Sequence, residues 1–145
     1  MIGFSGSRKV LEQDAIEKIE EILFILRLNF KNEATIVTGG CIGVDALVAR
    51  LAAGLLFNIF TIIPANTRAV DKYWSVYAQE SFIFKEGSYK NRNEKIVEVS
   101  HVLVALVSVP EFDKNGEFTH SGTWQTVRLA RKKKIPVLVI EVKEK

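Results

Sequence analysis

One cysteine in 145 residues excludes an internal disulfide. With only two histidines beside it, the chain has no Cys/His cluster at zinc spacing, so no structural metal is expected and no cofactor is assigned. No apolar stretch is both long and uninterrupted enough to span a membrane. Met1-Ile2-Gly3-Phe4 already reads as a strand, so no signal peptide is expected ahead of it. These shortages together lead to an expectation of a cytoplasmic protein. Internal repeats, low-complexity tracts and linkers are missing too, and the length suits one domain over residues 1–145 with a single sizeable core.

What is present is a globular composition, 48% apolar and 26% charged, which argues against disorder. A net charge of +3 permits binding to phosphates or nucleic acid without requiring it. The chain is organised around Thr38-Gly39-Gly40-Cys41-Ile42-Gly43-Val44-Asp45. The β-like run Thr35-Ile36-Val37 enters this stretch, and Val44, Leu47, Val48, Leu51 and Leu55 leave it at helical spacing. A strand turning through glycines into a helix aims backbone N–H groups and a positive dipole end at one spot, which suits an anion. The same glycines also fit a turn that only connects two elements.

Before that stretch, Met1 to Phe4 forms a strand ending at Ser5-Gly6-Ser7-Arg8. Leu11, Ala15, Ile19, Ile22, Leu23, Leu26 and Phe30 then predict a long helix with one buried stripe, and Lys31-Asn32-Glu33 a turn. After it, Ile59 to Ile63 is a continuous apolar run stopped by Pro64, the pattern of a strand covered on both faces. Val70, Tyr73, Trp74 and Tyr77 suggest a short helix, and Phe82-Ile83-Phe84 a short strand. Tyr89 to Val99 reads as a helix, and His101 to Val109 as the strongest strand. Pro110 to Thr119 is polar with a turn at Asn115-Gly116. Ser121-Gly122-Thr123 opens a last helix with apolar Trp124, Val127, Leu129 and Ala130, and Val137 to Ile140 is a final strand before a charged tail. Alternating strands and helices predict an α/β fold, a three-layer Rossmann-like sandwich with a mostly parallel sheet.

In an open parallel sheet the ligand crevice lies outside the carboxyl ends of the strands. Four segments are expected to converge there: Gly6-Ser7-Arg8, Thr38-Gly39-Gly40 with Gly43 and Asp45, Asn91-Arg92-Asn93, and Ser121-Gly122-Thr123. Arg8 can fork onto a phosphate, or simply lie on the surface. Asp45 can orient a ribose or a loop, or interact with the dipole of its helix. Arg92 stands in a first helical turn, against local preference, and either meets a ligand or pairs with Glu94 or Glu98. Ser121 and Thr123 can cap their helix, hold a phosphate, or do both. Lys132 to Lys134 fits a solvated helix end better than a nucleic-acid patch, and Cys41 reads as a small buried residue.

At these residues the chain resembles the SLOG superfamily, Rossmann-like domains that include the DNA-processing protein DprA (Smf) and the LOG-type nucleotide phosphoribohydrolases. The resemblance covers nearly the whole chain: a first strand followed by Gly6-Ser7-Arg8, the Thr38-Gly39-Gly40-x-x-Gly43-x-Asp45-Ala46 turn, Tyr89-Lys90-Asn91-Arg92-Asn93-Glu94, and Ser121-Gly122-Thr123-Trp124-Gln125-Thr126. The pattern is most like the small stand-alone branch related to DprA and to YspA/YpsA-type proteins. The phosphoribohydrolases carry Gly-Gly-x-Gly-Thr-x-x-Glu, and Thr126 stands where that glutamate would be. A threonine cannot serve as a carboxylate base or stabilise an oxocarbenium-like centre. The resemblance therefore implies non-catalytic binding of a nucleotide or single-stranded DNA by a homo-oligomer, with no membrane contact. The alternatives it leaves are an N-glycosidic hydrolase using Asp45 or Glu94, and a sensor of a signalling nucleotide.

Overall fold

Each apolar run becomes a strand of one sheet, and each amphipathic stretch becomes a helix laid on it. The computed structural model describes residues 1–31 and 33–145, so the turn expected at Lys31-Asn32-Glu33 falls partly outside the described residues, at Asn32. The elements run β1 (Ile2–Gly6), α1 (Gln13–Phe30), β2 (Thr35–Thr38), α2 (Val44–Gly54), β3 (Asn58–Ile63), α3 (Trp74–Tyr77), β4 (Glu80–Ile83), α4 (Tyr89–Val99), β5 (Val102–Val107), α5 (Gly122–Lys132) and β6 (Val137–Glu141). The sheet order is β4-β3-β2-β1-β5-β6. Every pairing in it is parallel.

The alternation along β5 separates the two cores. Val104 and Leu106 point to one face, where they meet Ala15, Ile19 and Leu23 of α1 and Val44, Val48 and Ala52 of α2. Leu103, Ala105 and Val107 point to the other, against Ile96 and Val97 of α4 and Trp124, Val127 and Ala130 of α5. Both faces are covered, which is why β5 reads as an unbroken apolar run. This is the three-layer α/β sandwich that the pattern predicts, with an all-parallel sheet.

Several boundaries differ from the sequence reading, each for a tertiary reason. Leu11 lies ahead of α1, yet it is buried because it bridges to Glu144 of the segment after β6. Phe30, at the far end of the expected stripe, is 49% exposed. The short helix keeps only Trp74–Tyr77. Val70 is drawn out of it by an antiparallel bridge to Cys41. β4 starts at Glu80 instead of Phe82, because Phe60 to Ile63 of β3 set its register. It is an edge strand with all four residues exposed. The polar 110–119 segment closes on itself through a Phe112–Phe118 bridge with the two rings stacked 5.2 Å apart. The turn falls at Asn115-Gly116 as expected, with Asp113 Oδ1 accepting from the amides of Asn115 and Glu117.

The sheet order places the topological switch between β1 and β5. The chain winds outward from β1 to β4, then returns through α4 to the other side of β1. Ligand crevices of open parallel sheets form at such a point, beyond the carboxyl ends of the two diverging strands.

Candidate functional site

Beyond the ends of β1 and β5 lies a cleft of about 440 Å³. Gly6, Ser7, Arg8, Asp45, Arg92, Asn93, Ser121, Gly122 and Thr123 line it, together with Tyr89, Ser108, His120, Gln125 and Glu144, among others. A larger hollow of about 810 Å³ lies between the start of α1 and the ends of β5 and β6, but its ionisable lining is Glu12, Asp14, Glu111 and Glu141 against Lys18 and Lys143. That balance repels an anion. The 440 Å³ cleft instead sets Arg8, Lys9 and Arg92 against Asp45 and Glu144.

The first wall follows β1. The start of α2 packs so closely on it that a Cβ on Gly6 would lie 2.6 Å from the Val44 side chain. The Val44 amide donates to Ser7 O at 2.8 Å. Gly43 makes this approach possible, at φ +84° and with no room for a Cβ against the backbone of Ser7 and Arg8. The turn after β1 and the turn after β2 are thus held together backbone to backbone.

Thr38, Gly39, Gly40 and Gly43 do not appear in the cleft lining. Thr38, Gly39 and Gly40 are buried beneath it. The Thr38 hydroxyl has no hydrogen-bond partner among the described residues. One amide of the glycine turn is directed inward: the Cys41 amide donates to Asp45 Oδ2 at 3.2 Å. The Ile42 amide donates to Ala69 O at 2.9 Å. The Cys41 and Ile42 amides of the turn are thus satisfied from within the chain, by the Asp45 carboxylate and by a backbone carbonyl.

Arg92 is buried, and it does not pair with Glu94 or Glu98. Its Nη1 donates to Gly39 O and its Nε to Asn93 Oδ1 at 2.9 Å, while Cys41 Sγ lies 3.4 Å from Nη1. A Cβ on Gly39 would lie 2.3 Å from Arg92 Nη1 and 2.8 Å from Asp45 Oδ2, so the turn is clasped between a guanidinium and a carboxylate. Burial pushes the Asp45 carboxyl up, opposed first by the charge of Arg92 and then by the Cys41 and Gly39 amides. Burial, and then the charge of Asp45, also pushes the Cys41 thiol up. A buried protonated thiol is a poor nucleophile, which matches its reading as a packing residue.

The exposed cation is Arg8. Its guanidinium lies 4.2 Å from the centre of the Tyr89 ring, and that of Arg92 lies 5.6 Å from the same ring. Tyr89 Oη donates to Asn66 O at 3.1 Å, which anchors the ring. Across the cleft, Ser121 caps α5 by accepting from the Trp124 amide at 3.3 Å. The Trp124 indole N–H donates to Val109 O at 2.8 Å, tying that helix start to the end of β5. The run Lys132 to Lys134 lies at the opposite end of α5, about 15 Å away at 1.5 Å per residue, and takes no part in the cleft.

Sequence reading missed Ser108, Glu144 and the ring of Tyr89 as site residues. Tyr89 was within reach, since it begins the motif containing Arg92. Glu144 was not, because only folding returns the segment after β6 to β1. Its carboxylate accepts from Ser108 Oγ and lies 3.7 Å from Lys9 Nζ. The Ser108 hydroxyl first, then the Ser7 hydroxyl, hold its carboxyl below the ordinary range. A carboxyl depressed on folding adds stability above its unfolded pKa of about 4.3, and that contribution is lost as pH falls through the lower folded-state value. The stability difference between wild type and Glu144→Gln, from urea midpoints, is therefore expected to hold steady down to about pH 5 and to shrink below about pH 4. A difference that stays flat into strong acid would contradict this assignment.

Among the described residues, no group of three or more His, Cys, Asp or Glu side chains could hold a metal ion. Among the same residues, no helix is long and apolar enough to cross a membrane.

No family model and no curated protein matches the sequence. Solved structures do match. A molybdenum cofactor binding protein from the phototrophic bacterium Rippkaea orientalis aligns with 97% of this chain and 75% of its own, at 21% identity and a TM-score of 0.69. DprA from Streptococcus pneumoniae aligns with 95% of this chain at 16% identity and a TM-score of 0.68. The chain shares their Rossmann-like fold. The molybdenum cofactor carrier protein of Chlamydomonas reinhardtii shares it as well, at 21% identity, a TM-score of 0.67, and 96% and 74% of the two chains. The chain spans about half of the DprA chain, 49% of its length. At these identities the likeness is one of fold.

Proposed function

We propose that the cleft of this Rossmann-like domain binds the phosphate of a nucleotide, or the phosphodiester backbone of single-stranded nucleic acid, without turning it over. The observation that carries this reading is the pairing of Arg8 with Tyr89 at the cleft mouth, opposite the start of α5. Arg8 is exposed and stacked, so it is free to fork onto a phosphate at little cost in ordering. The Tyr89 ring beneath it holds the guanidinium at the cleft mouth. Two of the structural neighbours are described as binding or carrying molybdenum cofactor and one as processing DNA. The neighbours do not choose between a small cofactor and DNA, but the charge of the cleft asks for an anion in either case.

A hydrolytic role has less support. Thr126, at the position of the phosphoribohydrolase glutamate, is buried and gives its hydroxyl to Gly122 O at 2.9 Å. Glu94 is not among the cleft residues, and Asp45 is committed to the glycine turn.

The test is fluorescence anisotropy of a labelled single-stranded oligonucleotide, titrated at several salt concentrations. Wild type is expected to bind with an affinity that falls steeply with salt, the signature of counterion release. Arg8→Ala is expected to weaken binding about tenfold, the scale of one charge-assisted hydrogen bond, with an unchanged melting temperature. Absence of binding at low salt would remove nucleic acid as the ligand, and equal binding by Arg8→Ala would remove Arg8 from the site.

A further inference from the structure

Glu144 is a carboxylate inside a cleft that also holds Arg8, Lys9 and Arg92. Its carboxylate accepts from Ser108 Oγ after β5 and lies 3.7 Å from Lys9 Nζ, and Ser7 after β1, whose Oγ accepts from the Lys9 amide, lines the same cleft. These are the strand ends that flank the switch point, where an open parallel sheet takes its ligand. The segment that delivers Glu144 is hung on backbone bonds at its margins. The Val142 amide donates to Val107 O at 2.8 Å, the Glu12 amide to Lys143 O at 2.9 Å, and the Lys145 amide to Val10 O at 3.0 Å. Val142 is buried, whereas Lys143 and Lys145 are exposed and Glu144 is half-buried. Val142 is the buried anchor, and the three residues after it lie along Val10 to Glu12 on the surface, held by the backbone bonds to Glu12 and Val10 and by the Glu144 side chain.

We infer that Ser7, Ser108 and Lys9 form an oxyanion subsite, that Glu144 is its internal occupant, and that the terminal phosphate of an incoming ligand displaces it. This deepens the reading of the cleft as an anion site and rests on it. Two hydroxyl donors and an ammonium serve a phosphate at least as well as a carboxylate, since a phosphate has more acceptor oxygens. An internal carboxylate makes the empty subsite stable and sets a threshold, because a ligand gains only the difference between its own interaction and that of Glu144. A terminal phosphate, with more charge and more free oxygens than a phosphodiester, competes best for these three groups.

The test is calorimetric titration of the full chain with inorganic pyrophosphate at fixed ionic strength. The proteins are wild type, Glu144→Gln and, as a control for net charge, Glu141→Gln on the exposed end of β6. Glu144→Gln keeps the side-chain shape and removes the competing charge, so it is expected to bind pyrophosphate about tenfold tighter than wild type, with Glu141→Gln close to wild type. In wild type, saturating pyrophosphate is expected to speed amide hydrogen exchange at Lys145, whose bond to Val10 is given up, while Val142 stays protected. The inference is overturned if Glu144→Gln binds no tighter, if both variants gain alike, if pyrophosphate binds neither wild type nor Glu144→Gln, or if exchange at Lys145 does not change. An oligonucleotide with no terminal phosphate separates this inference from the broader reading. If it fails to bind while the pyrophosphate ratio holds, nucleic acid is lost and the subsite stands. If it binds wild type and the ratio is absent, only the subsite is lost.

Discussion

Arg92→Ala is expected to lower the unfolding free energy by about 3–5 kcal/mol, the usual cost of removing one member of a buried charge arrangement. Arg92 is 7% exposed, and three groups depend on its guanidinium. Gly39 O and Asn93 Oδ1 lose their donor, and the buried carboxylate of Asp45 loses the nearest positive charge. Arg92→Lys is expected to recover only part of the loss, since an ammonium is a point charge and cannot serve Gly39 O and Asn93 Oδ1 with one rigid fork. Urea unfolding reads the effect directly. With a slope of about 2 kcal/mol/M, the midpoint should fall by roughly 1.5–2.5 M. A domain at the lower end of the usual range, about 5 kcal/mol, survives this only narrowly. A loss under about 1 kcal/mol would show that Arg92 is not the clasp of the glycine turn, and would return it to the ligand. Loss of oligonucleotide binding in Arg92→Ala is therefore not evidence of a phosphate contact unless the protein is shown to be folded. Arg8, which is exposed, is the residue that isolates binding from stability.

Gly43→Ala is expected to cost about 3 kcal/mol or more, from a left-handed backbone strain and a clash that add together. The φ of +84° is disfavoured for any L side chain. A Cβ there would lie 2.4 Å from both Ser7 O and the Arg8 carbonyl carbon, and both are main-chain atoms that cannot swing aside. Thermal unfolding should show a fall of about 6–12 °C for a chain of this length. Gly54→Ala is the internal comparison. Gly54 ends α2 with nothing within 4 Å of an added Cβ. It should gain about 0.4–1 kcal/mol through reduced freedom of the unfolded chain. If both substitutions behave alike, the docking of the two turns does not depend on Gly43.

Much of this was legible in the residues. The apolar runs and helical stripes named the strands and most of the helices, since the alternation that separates the two cores is itself a sequence pattern. Gly6, Ser7, Arg8, Arg92, Asn93, Ser121, Gly122 and Thr123 were singled out because they follow strands or open helices, and parallel connections bring such segments to one edge of the sheet. For Asp45 the residues left a ribose, a loop and the helix dipole open, and the structure gives it the loop; the bonds of Arg92 to Gly39 and Asn93 were not legible. Whether a carboxylate at the start of a helix faces solvent, a ligand or a neighbouring turn depends on how far apart two strand ends lie. That distance is a property of the packed sheet.

The same holds for Glu144 and for Leu11. Both belong to segments whose local pattern is weak: a charged tail, and a single leucine ahead of a helix. Their positions follow from backbone bonds between residues more than a hundred places apart in the chain. Sequence by itself determined the α/β class, the order of elements and the places where anion-binding groups can gather, because periodicity and turn chemistry act over a few residues. Only the tertiary structure decided which of those groups are already satisfied within the chain. A buried donor must find an acceptor somewhere, and in this protein the acceptors are Asp45 for the Cys41 amide of the glycine turn and Glu144 for the Ser108 hydroxyl after β5.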